Sequence, residues 1–65
     1  MNWNYQLMKH TKLNGEVWYA VHESYGSLGY TVEPILVTGE DKEDVKWLLE
    51  TVLKDIEKHG VKDYE

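Results

Sequence analysis

Three histidines, two methionines, three tryptophans and five tyrosines are the side chains of this 65-residue chain with the most chemistry to offer. Their spacing decides which chemistry is open to them. His10 and His22 fall on the same parity of two alternating segments, so they share a sheet face, but the expected register does not set them directly opposite one another. With His59 they make three histidines, and no two have the i, i+4 helical spacing of a zinc pair. No metal and no cofactor are expected. His22 and Glu23 are not a dyad, because neighbouring strand residues point to opposite faces. Ser24 and Ser27 stand in no G-x-S-x-G elbow, the chain has no cysteine to serve as a nucleophile, and the glycines form no phosphate-binding loop. Glu40 and Glu43 read as solvated residues at a helix start. So short a chain also leaves little room for a pocket that buries a substrate, and no catalytic residue is assigned.

Binding is the remaining chemistry. The even-numbered positions of the two alternating segments carry Asn4, Gln6, Met8 and His10, then Trp18, Ala20, His22 and Ser24. With one helix covering the odd face, this even face would be left open. Open aromatic and methionine side chains favour contact with another protein or with a second copy of the chain. Met8, His10, Trp18 and His22 are therefore the expected contact residues, unless the C-terminal tail or the loop at Tyr25 to Gly29 covers Trp18. Trp47 is the fifth. It lies near Glu43, Glu50 and Lys54 on the polar side of a helical pattern, either as an exposed anchor or half-buried under the stretch Ile35 to Thr38.

The elements that position these residues can be read from periodicity and punctuation. Trp3 to His10 alternates, Asn14-Gly15 marks a turn, and Val17, Tyr19 and Val21 alternate with Trp18, Ala20 and His22, which together describe a β-hairpin. A bulged turn with Gly15 in the left-handed region pairs Leu7 with Val21, Lys9 with Tyr19 and Thr11 with Val17, and keeps every odd apolar residue on one face. That register sets Gln6 opposite His22, Met8 opposite Ala20 and His10 opposite Trp18. Tyr30 to Val37 reads as a third strand, confined to an edge or broken at Pro34 because proline cannot donate to a ladder. Val45, Leu48, Leu49, Val52, Leu53 and Ile56 follow helical spacing. Asp41, with Thr38 as the alternative, supplies the N-cap, and Lys58-His59-Gly60 supplies a basic last turn and a glycine stop, so the helix is expected from Lys42 to His59. Residues 61–65 are expected as a loose tail.

Charge and size narrow the partners. The formal net charge is −5, from twelve acidic residues against seven lysines, with no arginine. Arginine is the usual bidentate reader of phosphate and guanine, so nucleic acid is not an expected partner. A basic partner suits this balance, and so does plain solubility. No run of 18 apolar residues suggests a membrane span, and the N-terminus has no signal-type apolar core, which makes the cytoplasm the expected compartment. Without disulfides or metal the core of one small domain must be thin, and a homodimer with sheets packed back to back is a second route to burial.

Two resemblances accompany this reading. Tyr19-Ala20-Val21, Gly29-Tyr30-Thr31-Val32-Glu33-Pro34 and Gly39 to Val45 together resemble HicB-like antitoxins, over residues 19 to about 56. The stretch Ile35 to Thr38 is shorter than that family's usual connection, and no DNA-binding segment follows the helix. Trp3-Asn4-Tyr5, Trp18 to Glu23 and Trp47 are similar to small uncharacterised bacterial proteins sharing W-N-Y and W-Y-A-[IV]-H-E, over most of the chain, and this likeness implies no activity. The expected fold is α+β, a three-stranded antiparallel sheet packed on one C-terminal helix. The expected function is that of an acidic, non-enzymatic protein-binding module, as an inhibitor, antitoxin-like or regulatory protein, with the structural homodimer as the alternative.

Overall fold

The computed structural model describes residues 2–64. Strand β1 (Asn4–Thr11) and strand β2 (Val17–Ser24) form the hairpin in the bulged register. Gly15 takes φ 92°, its N–H donates to the Lys12 carbonyl at 2.9 Å, and the Asn14 side chain accepts from the Glu16 N–H at 2.9 Å. Left-handed φ at Gly15 is what lets three residues close the turn without splitting the apolar set.

Helix α1 spans Lys42–His59, with the Asp41 carboxylate accepting from the Asp44 N–H at 2.9 Å and the Gly60 N–H closing the last turn on the Ile56 carbonyl. Its buried residues are Leu48 and Val52, which meet Tyr5 of β1, with Val21, Ile35 and Ile56 packed around them. Among the described residues no helix is long and apolar enough to cross a membrane.

The class is α+β, with three strands, one α-helix and a short 3-10 turn at Gly26–Leu28 among the described residues, but the third strand is not the expected one. Tyr30 to Val37 makes a single bridge, Tyr30 to Ser24, and otherwise runs irregularly along the free edge of β2 through Thr31 N–H to the Glu23 carbonyl and Ile35 N–H to the Val21 carbonyl. The ladder stops before Pro34 is reached: the chain bends at Val32 and Glu33, the Thr31 carbonyl is taken by the His22 ring, and Pro34, with no N–H to give, cannot extend the pairing further on. Strand β3 (Val61–Asp63) comes after the helix and lies parallel to β1, so the sheet is mixed, in the order β2-β1-β3. The loose tail is thereby corrected for residues 61–64: the Tyr64 N–H continues the pairing to the Lys9 carbonyl at 2.9 Å. Glu65 of that expected tail lies outside the described residues.

This order makes β1 the central strand, and α1 packs on it. The pairing with β3 begins only at Leu7, and the Tyr5 N–H is taken instead by the Asp55 carboxylate of α1 at 2.9 Å. With the helix centred on β1, the odd side of β2 is poorly covered. Val17 and Tyr19 are exposed there, as are Leu49 and Leu53 on the helix.

Candidate functional site

The even face brings four of the five expected contact residues together. His10 stacks on Trp18 at 4.0 Å between ring centroids and on Tyr64 at 4.4 Å, so a ring from β1, one from β2 and one from the residue after β3 form a ladder across the sheet. His10 Nε2 lies 2.9 Å from His22 Nε2, and His22 Nδ1 lies 2.9 Å from the Thr31 carbonyl. A carbonyl only accepts, so His22 Nδ1 carries a hydrogen. In the neutral pair, His22 Nε2 is then the acceptor and His10 Nε2–H donates. Protonating both rings would set two N–H groups against each other. Partial burial, and then the neighbouring His22 charge, hold the His10 pKa below its usual value.

This face is closed by the chain itself. Met8 and His22 are both 0% exposed and Gln6 is buried, with its amide donating to the Gly60 carbonyl at 2.8 Å. Tyr64 lies over both histidine rings, and its hydroxyl donates to the Val32 carbonyl at 3.3 Å. Met8 and His22 are therefore interior residues of the folded chain, a correction to their expected place on an open contact surface. His10 is half-buried, and Trp18 keeps 42% of its surface in solvent at the rim of the stack. Among the described residues no three histidine or acidic side chains converge as a metal-binding set.

Trp47 belongs to a different region. It is 59% exposed and stands at an open groove of about 920 Å³ between the first turns of α1 and the stretch Ile35 to Glu40. Tyr5, Ile35 and Leu48 lie at its apolar side, while Glu23, Glu40 and Asp44 bring carboxylates to it. The sequence alternative of Trp47 tucked under Ile35 to Thr38 is thus resolved as adjacency with the ring largely in solvent. Gly39 lets this wall approach the helix: a Cβ there would lie 2.6 Å from Asp44 Cβ and 3.1 Å from the Val45 nitrogen.

The electrostatics of the groove are one-sided. Tyr25 donates its hydroxyl to Glu23, and that bond, followed by burial and the Glu23 charge, raises the Tyr25 pKa. Tyr5 is raised by burial first and then by the charges of Glu23 and Asp55. Among the described residues the one ion pair is Lys12 with Glu16, in the hairpin turn, so no lysine neutralises the groove. Glu40 and Glu23 are the site residues sequence reasoning did not single out. Glu40 was read as part of a solvated helix start, and Glu23 sits on the odd face of β2, where only the tertiary position of the Ile35 stretch reveals the groove.

Comparison with known proteins returns no matching family model, no matching curated protein and no matching solved structure.

Proposed function

We propose that this chain is a small acidic, non-enzymatic protein-binding module, inhibitory, antitoxin-like or regulatory, whose main contact residue is Trp47. The observation that carries the reading is a tryptophan 59% exposed beside an open groove, while Met8 and His22 of the even face are buried within the chain. An exposed tryptophan at a concave apolar site is the kind of residue that dominates interface energetics. Trp18 is a secondary contact at the edge of the closed face. His10 acts through the stack that orients Trp18.

A homodimer is the second reading, and one observation favours it in an altered form. Val17 and Tyr19 of β2 and Leu49 and Leu53 of α1 leave apolar surface on the odd side, so the seam would lie there and not between even faces.

The test uses Trp47→Ala and Trp18→Ala, each checked for native circular dichroism, with chemical cross-linking in cells of the source organism and recovery of partners. Loss of a stoichiometric partner with Trp47→Ala and weakening with Trp18→Ala is the expected result. Recovery unaffected by Trp47→Ala would overturn the reading. Sedimentation equilibrium over a hundredfold range of concentration separates the dimer, whose stability would rise with protomer concentration.

A further inference from the structure

The Trp47 groove has a chemical character that narrows what it accepts. Glu23 projects from β2, Glu40 from the stretch before the helix and Asp44 from the first turn of α1, so carboxylates reach it from three separate parts of the chain. The helix N-terminus does not make the groove a site for anions. Asp41 accepts the Asp44 N–H, and the Asp44 carboxylate accepts the Glu40 N–H at 3.2 Å, so an anion approaching the helix start would meet acidic side chains already there. No lysine lines the groove. Beside the carboxylates lie the exposed indole of Trp47 and the apolar surface of Ile35 and Leu36.

Carboxylates flanking an aromatic face fit one kind of side chain: a long aliphatic stem ending in a cation. The stem packs on apolar surface while the head meets both the indole face and the acids. Resting on the protein-binding reading, we infer that the groove receives an extended segment of a partner protein bearing lysine or arginine. The basic head lies against Trp47 between Glu23 and Glu40, and the segment's apolar residues lie along Ile35 and Leu36. The acidic balance of the whole chain, −5, steers such a segment towards it from solution.

The experiment is an NMR titration of the full chain, labelled with nitrogen-15, by two capped peptides: Ac-Gly-Leu-Arg-Leu-Lys-Gly-NH2 and the acidic Ac-Gly-Leu-Glu-Leu-Asp-Gly-NH2. The expected result is saturable shifts of the Trp47 indole N–H and the Gly39 and Glu40 amides with the basic peptide alone. Affinity should fall at least fivefold in Glu23→Gln/Glu40→Gln and several-fold on raising salt from 50 to 500 mM, as solvent-accessible charge contacts require. Equal shifts from both peptides, unchanged in the double variant, would overturn the basic specificity while leaving Trp47 a docking residue. No shift at Trp47 with either peptide would overturn the inference. The protein-binding reading fails separately, through partner recovery that ignores Trp47→Ala.

Discussion

Two regions of this molecule each hold a tryptophan and a tyrosine and have opposite fates. On the even face, His10, His22, Trp18 and Tyr64 bond and stack on one another, and the polar atoms of the buried histidine are matched within the chain. At the Trp47 groove the ring is largely in solvent, and among the described residues no lysine lines the groove or forms an ion pair with its carboxylates. Richness in aromatic and ionisable residues therefore does not mark a contact surface by itself. What separates the regions is how they are covered: Tyr64 and Thr31 reach the histidine pair from outside the hairpin, whereas the bonds to the groove carboxylates among the described residues are local ones, Tyr25 to Glu23 and the Glu40 N–H to Asp44.

The sharpest way to break the contrast is to hollow the closed side. Met8 is 0% exposed, so Met8→Ala should cost about 2–5 kcal/mol. A 65-residue domain has only about 3–10 kcal/mol in total, so the urea midpoint should collapse or disappear. A wild-type midpoint would mean that Met8 is not interior.

A methyl group at position 39 acts on the open side. Gly39→Ala places a carbon 2.6 Å from Asp44 Cβ, and the wall must shift, at about 1–3 kcal/mol. A lowered melting temperature with amide shifts confined to the groove and the first turns of α1 is expected. Shifts spread over the β1–β2 hairpin would show the two regions to be mechanically coupled.

Smaller again is the proton linkage of the closed face. The folded pKa of His10 is lowered from 6.5, so the unfolded chain takes up its proton first as pH falls. Stability from this residue is fully present above pH 6.5 and is lost as pH falls through the folded value. Urea midpoints measured between pH 7.5 and 4.5 should fall on acidification, and His10→Phe, which keeps a ring for stacking, should flatten the part of the fall that belongs to this group. An unchanged slope in that variant would remove His10 from the linkage.

The smallest effect on stability is expected at Trp47, the residue proposed as the main contact. Trp47→Ala should change unfolding free energy by no more than about 0.5 kcal/mol, since the ring is mostly exposed. A loss of several kcal/mol would make Trp47 a packing residue after all.

Much of this was legible because it is local. The helix limits follow from apolar spacing with Asp41 at one end and Gly60 at the other, and the hairpin register follows from Gly15 and the parity of Leu7, Val21 and their neighbours. The third strand was misplaced because Tyr30 to Val37 has strand composition, while β3 is three residues after a helix stop, with no pattern to announce it. Its pairing to β1 is parallel and non-local. The same strand carries Tyr64 to the even face, so missing β3 also hid the closure of Met8 and His22. It hid, too, that β1 is central and that β2 is left uncovered on its odd side.

Hydroxyl-radical footprinting with mass spectrometry, reading Met8, Trp18 and Trp47 on the same folded sample, tests the contrast most directly. Rapid oxidation of Trp47, slower oxidation of Trp18 and strong protection of Met8 are expected, although methionine is intrinsically reactive. Rapid oxidation of Met8 with protection of Trp47 would contradict it, placing the open surface on the even face and the closed one at the groove.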